Sequence, residues 1–237
     1  MSLAANAVTP IVGVDGCAGG WVAATFHSIS VFNSIDALIE HFPAQARILI
    51  DMPMGLPEIG PRDLEVKARQ CLPKGKSSSV FAIPCRRAIY ADDYRRACAI
   101  NLDVQGKKFS IQTWNICRKI CELDRLLLAK PALTKRVFES HPELAFAVLA
   151  GGQALPPKKK IEGFEARLLI LSEYIQGVQL LVETALSNYR RATLAKDDVL
   201  DALVLAVTGS MEQTILNDSA DRDEKGIPIR MLIPAVR

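Results

Sequence analysis

Several features that would decide the class of this 237-residue chain at once are missing from it. No apolar run approaches the ~20 residues that span a bilayer, so no membrane helix is expected. Charge of one sign does not dominate: the formal net charge is +3. Such a mildly basic chain tolerates an anionic ligand without demanding nucleic acid. Six cysteines are present, but none forms a C-x-x-C pair, and no signal-peptide pattern opens the chain. Reduced thiols in a cytoplasmic protein are the expectation. Cys117 and Cys121, four apart on an expected helix, read as core thiols. There is no internal repeat and no flexible linker that would separate two modules. Residues 1–9 read as a disordered leader. Residues 10–237 read as one domain, and the oligomeric state stays open, a homo-oligomer included.

What is present is an ordinary globular composition, 49% hydrophobic and 23% charged, with enough chain for a real core. "PIVGVDGCAGGWVAATF" (Pro10–Phe26) reads as strand, glycine-rich turn, strand. "ISVFN" (Ile29–Asn33) is a third strand. In "SIDALIEHF", Ser34 is placed to cap a helix with Ile35, Leu38, Ile39 and Phe42 at helical spacing. "RILID" (Arg47–Asp51) is apolar up to its terminal acid, as a central parallel strand is. The start is therefore β-β-β-α-β. Residues of about 57–135 read as a helical insertion. Strand character returns at "KRVFESHPE" (Lys135–Glu143), three helices follow, and the proline-punctuated tail "GIPIRMLIPAVR" is extended.

Acids stand where carboxylates are costly. Asp15 ends the first strand, Asp51 ends the fourth, and Glu139 interrupts a later one. "KDDVLDALVLAVTG" (Lys196–Gly209) is nearly all apolar, yet Asp198 and Asp201 lie one turn apart on it and share a face. Burying an uncompensated carboxylate costs several kcal/mol, and converging carboxylates raise one another's pKa. A divalent cation relieves both costs, and Mg²⁺ or Mn²⁺ prefers oxygen ligands. Four or five acids suffice for two metals about 4 Å apart, the arrangement of phosphodiester displacement. Each acid also has an ordinary structural explanation as a cap, a turn residue or a surface group. Asp197 suits a helix-start acid. Asp201, surrounded by Val199, Leu200, Leu203 and Val204, is the hardest to explain that way.

The β-β-β-α-β order, the two strand-end acids and the late acid-bearing helix resemble the ribonuclease H-like fold. "DVLDALVLAVT" is similar to the last helix of Holliday-junction-resolvase-type members, which carry D-x-x-D-A before an apolar run. Closer still, "VGVDGCAGGW", "IDMPMGLP", "SSSVFAIPCR", "ESHPELAF" and "DDVLDALVLA" resemble the domain of unknown function 429 family, described as predicted ribonuclease H-like nucleases. The resemblance spans nearly the whole chain. It implies an α/β fold with a five-stranded mixed sheet flanked by helices. It further implies a site of Asp15, Asp51, Glu139 and Asp201 with Asp198 as a further metal ligand, Glu143 and His141 being secondary candidates. The implied metal is Mg²⁺ or Mn²⁺.

Basic loops complete this reading. "PKGKSSSVFAIPCRR" offers Lys76, Ser78, Arg86 and Arg87 as phosphate-binding candidates, and "LPPKKKIEG" adds Lys158–Lys160. The leading expectation is a metal-dependent nuclease acting on DNA or RNA. The alternatives are an ATP-dependent phosphotransferase of the actin or sugar-kinase type, whose phosphate hairpin "DGCAGG" resembles, and a non-catalytic nucleic-acid-binding protein with a degenerate site.

Overall fold

The computed structural model describes residues 9–218 and 220–235. The leader expected over residues 1–9 lies outside these except for Thr9. The opening hairpin comprises β1 (Ile11–Cys17) and β2 (Gly20–Ala24), followed by β3 (Ile29–Phe32), α1 (Ile35–His41) and β4 (Arg47–Ile50). Gly20 makes the β1–β2 turn with φ +125°, a conformation closed to residues bearing a Cβ. Ser34 caps α1 by accepting from the Ala37 N–H, as its position before the apolar spacing implied.

Between β4 and β5 (Val137–Ser140) the chain is helical: α2 (Leu64–Cys71), the short α3 (Arg86–Ile89), α4 (Tyr94–Gln105) and α5 (Ile111–Ala129). After β5 come α6 (Pro142–Leu149), α7 (Ile161–Ser172), α8 (Val178–Asn188) and α9 (Lys196–Ser210). Two strands follow, β6 (Gln213–Ile215) and β7 (Met231–Pro234). The architecture is α/β, with a seven-stranded mixed sheet ordered β3-β2-β1-β4-β5-β7-β6. This corrects the expected five strands: the extended tail becomes β7, inserted beside β5, and β6 rather than the tail is the edge.

Strand β1 runs antiparallel to β2 and parallel to β4, and β4 runs parallel to β5. Side chains alternate across the pleat. Val12, Val14, Ile48, Ile50 and Val137 face one helical layer, with Ile120, Leu123 and Leu127 of α5. Leu49 and Phe138 face the other, with Leu200, Leu203 and Val204 of α9. Both sheet faces are therefore covered, which is why β4 has no polar alternation. Cys117 and Cys121 lie in the first layer, and burial pushes the Cys117 thiol up to about 12. All six cysteines are free thiols. Among the described residues, no helix is long and apolar enough to cross a membrane.

Helix α9 is buried at every position from Val199 to Gly209 and lies directly on β1. Gly13 makes this contact possible. A Cβ at that position would lie 1.9 Å from the Ala202 carbonyl oxygen and 2.4 Å from the Ala206 nitrogen. Neither obstacle is a side chain that can swing aside. Gly13→Ala is therefore expected to destabilise the fold by about 3 kcal/mol or more in denaturant titration. Gly75→Ala, at a positive-φ glycine with nothing within 4 Å, should cost only about 1 kcal/mol. Equal losses would contradict the close-contact role of Gly13.

Candidate functional site

The parallel pairing of β1 and β4 places two acids side by side, Asp15 inside β1, which runs two residues beyond it rather than ending there as expected, and Asp51 just past β4. Val14 pairs with Ile50, and the Asp51 N–H donates to the Val14 carbonyl at 2.9 Å. The next rung brings Asp15 and Asp51 together at the carboxyl edge of the sheet, the usual ligand edge of α/β folds. Gly13 faces α9, so Asp15, two residues on, faces the same way. Asp201 and Asp198 approach from α9.

The electrostatics record this convergence. Burial raises the Asp15 carboxyl well above the ordinary carboxylate range, and the charges of Asp51, Asp201 and Asp198 raise it further. Burial lifts Asp51 to about 7. Asp198 and Asp201 are each raised to about 6, again chiefly by burial. Asp198 uses one oxygen to accept from the Ala195 N–H at 3.2 Å, so the helix-start role expected of Asp197 falls to Asp198. Asp197 instead lies 3.7 Å from the ammonium of Lys158.

Lys158 is the one cation joined to the cluster by a hydrogen bond among the described residues. Its Nζ donates to Asp201 Oδ2 at 2.6 Å. Burial alone would lower the ammonium's pKa, but Asp201, Asp15 and Asp197 outweigh burial and raise it. Four carboxylates thus face one ammonium. Lys158 belongs to the basic loop seen in the sequence, but nothing in that loop's composition shows that its first lysine turns inward. Glu65 was also illegible. It is buried on α2, raised to about 7 by burial, and paired with Arg62 at 2.8 Å.

Glu139 shares a cleft with Asp15 and Asp51, and its charge helps raise the Asp51 pKa, but its side chain leaves the sheet on the other face. Its strand partner is Ile50, not Asp51. One residue of register turns it to the opposite sheet face. There Oε1 accepts from Arg62 at 2.7 Å and Oε2 from the Met54 N–H at 2.8 Å. Both oxygens are engaged by protein donors, so Glu139 braces the exit from β4. Glu143 is also committed: Arg167 lies at 2.7 Å and Lys76 at 3.2 Å. Burial would raise its pKa, but these two cations hold it low. The His141 ring caps α6. Nδ1 accepts from the Leu144 N–H at 3.4 Å, and Nε2 donates to the Ser79 carbonyl. Burial lowers its pKa and keeps the ring neutral.

The phosphate-binding candidates separate in the same way. Arg86 is buried among acids, bonding Glu58 at 2.8 Å, Asp124 at 3.1 Å through two donors, and Asp223. It ties α3 to α5 and to the loop before β7, with four of its five N–H donors engaged by carboxylates. Arg87 and Ser78 are exposed. Lys76 is held by Glu143. Ser79, not Ser78, lines the cleft at the strand ends. That cavity of about 170 Å³ is bounded by Asp15, Asp51, Glu139, His141 and Lys119. A larger cavity of about 1010 Å³ lies along α5, away from the aspartates.

Among the described residues, no three His, Cys, Asp or Glu side chains stand where they jointly hold a metal ion. The donor chemistry still suits a hard divalent cation: every group is a carboxylate, and their charges are under-compensated. Lys158 holds one of the oxygens that such a cation would use.

Fold and site together define an α/β protein with an under-neutralised aspartate cluster at the carboxyl edge of a mixed sheet. The family model described as "Protein of unknown function (DUF429)" matches residues 13–217, and the chain belongs to that family. No curated protein and no solved structure matches it.

Two outcomes follow. Asp51 titrates near 7 in the folded state against 3.8 ordinarily, so the native state binds the extra proton between about pH 4 and pH 7. The stability carried by protonated Asp51 is present at pH 4 and lost as pH rises through 7. Without metal, the unfolding free energy of the wild type should therefore fall relative to Asp51→Asn across that window. A pH-independent difference would contradict the raised pKa. Separately, Arg86→Met leaves Asp124 and Asp223 buried without their cation and should cost about 3–5 kcal/mol in chemical denaturation. A loss below about 1 kcal/mol would free Arg86 for another role.

Proposed function

We propose that this chain is a metal-dependent nuclease built on a ribonuclease H-like core. The observation that carries the reading is the aspartate cluster itself. Asp15, Asp51, Asp198 and Asp201 come from two strands and one helix, and burial raises all four pKa values. A fold tolerates such repulsion where a cation is meant to relieve it. The β3-β2-β1-β4-β5 run within the sheet, with β1 antiparallel to β2 and parallel to β4, supports the core assignment. The two further strands are additions to that core.

In this reading Asp15, Asp51 and Asp201 hold the cation, and Asp198 contributes the oxygen not bonded to Ala195. The set is four acids rather than five, since Glu139 is engaged elsewhere. A bound Mg²⁺ or Mn²⁺ supplies charge stabilisation at a phosphoryl oxygen and lowers the pKa of water. The chain's own residues do the positioning. Arg62 and Glu139 fix the turn after Ile50 that carries Asp51. The neutral His141 at the cleft wall is available to accept a proton only after releasing the Leu144 N–H. Lys158, on leaving Asp201, can donate to a phosphate oxygen.

One observation favours a second reading, a non-catalytic nucleic-acid-binding protein. Lys158 already neutralises Asp201, as a permanent stand-in for metal would. The phosphotransferase alternative has less support, since the described residues form one sheet and not the paired cores that such enzymes use.

Purified protein with Mn²⁺ or Mg²⁺ should cleave at least one of single-stranded, duplex or branched DNA or RNA. Asp15→Asn and Asp201→Asn should each lower the rate about 100-fold or more while remaining folded. Activity surviving either change would remove the site assignment. Mn²⁺ at 100 times its dissociation constant should add about 2.7 kcal/mol of stability at pH 7.5. Absence of both cleavage and the thermal shift would favour the non-catalytic reading.

A further inference from the structure

A third cavity, of about 980 Å³, runs between α7, α8 and the start of α9. Its wall carries Lys158, Lys159, Lys160, Arg191 and Lys196. Lys158 reaches from it to Asp201, so the groove and the aspartate cluster share a residue. The other four cations are exposed and have no carboxylate within 4 Å among the described residues. Three acids also line the groove, but two are already engaged. Asp197 faces Lys158, and Glu183 accepts from Gln179 at 3.0 Å. Glu183 keeps its charge under that neutral donor, so Glu183 and Glu165 stand against the four unpaired cations and the groove keeps a positive excess.

The lysine loop is anchored. Arg167, 1% exposed, donates to the Pro156 carbonyl at 2.9 Å and to Glu143 at 2.7 Å. Gly163 lets the loop lie against α7, since a Cβ there would come within 2.1 Å of the Pro157 carbonyl oxygen. The loop's backbone is therefore held beside the groove. The floor is apolar, with Phe164, Leu168 and Leu186, and Lys196 Nζ lies 5.5 Å from the centre of the Phe164 ring. Cations that track a backbone beside an aromatic and apolar floor match a single strand, which exposes base faces that a duplex keeps stacked.

We propose that this groove binds single-stranded nucleic acid and leads its phosphates to the aspartate cluster, with Lys158 at the junction. Its destination rests on the nuclease reading; its binding does not. Helix α7 has 12 residues and is about 18 Å long, room for a few nucleotides. Phosphates contact the lysines and Arg191, and one base lies against Phe164.

The test is fluorescence anisotropy in EDTA, where cleavage cannot occur, with labelled single strands and duplexes of about 12 nucleotides or base pairs. The single strand should bind more tightly. Lys159→Glu with Lys160→Glu should weaken it about 10-fold or more and flatten the log–log salt slope by about 1.4. Arg191→Glu should act in the same direction. Phe164→Ala, checked for folding, should cost about 5-fold or more. Lys107→Glu with Lys108→Glu makes the same charge change on exposed residues outside the groove and should leave the slope near wild type. Unchanged affinity and slope in the Lys159/Lys160 variant, losses no greater than in the control, or tighter duplex binding would each overturn the proposal. The two readings separate cleanly. Groove-dependent binding without cleavage in Mn²⁺ retains the groove and removes the nuclease. Cleavage with a KM untouched by the groove variants does the reverse.

Discussion

The carboxyl edge of this sheet depends on how closely α9 approaches β1. Gly13 removes the one side chain that would hold the two backbones apart, and Ala202 and Ala206 meet it from the helix. That contact sets the depth of α9, and with it the depth of Asp201. A helix one methyl group further out would lift its aspartates away from Asp15. The same closeness makes α9 a core element, buried along eleven consecutive residues from Val199 to Gly209. The helix that does most to close the core is thus also the one that brings charge into it. Burying apolar surface at about 25 cal/mol/Å² is what offsets the electrostatic cost.

Buried acids in this protein follow two patterns. Glu139 with Arg62, Glu143 with Arg167, and Asp124 and Asp223 with Arg86 are each matched by a guanidinium whose planar fork suits a carboxylate. These pairs tie the segment after β4 to β5, α6 to α7, and α3 to α5 and the loop before β7. Among the described residues the clustered aspartates pair with no arginine, and Lys158, a single compact charge on a flexible stem, is the cation that bonds them. A lysine on a loop is held less rigidly than a buried arginine fork, so this cluster is the one whose compensation is weakest among the buried acids described. Lys158 also lines the groove beside α7 and α8, so cluster and groove share this residue.

Much of this organisation was legible in the residues. Asp15 and Asp51 each follow an apolar strand run, and if those strands are parallel neighbours, as they are, both acids meet at one edge. Asp201 among valines and leucines had no simple surface explanation. Glu139 showed the same outward signal, an acid in a strand, and it does line the cleft of Asp15 and Asp51, but its oxygens are taken by Arg62 and the Met54 N–H. Its side depends on whether β5 pairs through Ile50 or Asp51, a register that no local pattern encodes. Arg86 followed an apolar segment and looked anchored, which it is. Its partners lie 38 and 137 residues away, so their acids could not be assigned to it. The tail's role as β7 was hidden similarly, because a strand is defined by what it hydrogen-bonds.

Residue patterns along the chain were enough for the element order through most of the chain and for the identity of the four clustered acids. Local periodicity, caps and strand-end chemistry are short-range and can be read along the chain. Tertiary structure alone decided which acids were neutralised, which lysine turned inward, and which face of the sheet each strand residue took. These are properties of pairs distant in sequence. Their energies depend on burial and on separations of a few ångströms, which exist only once the chain has folded.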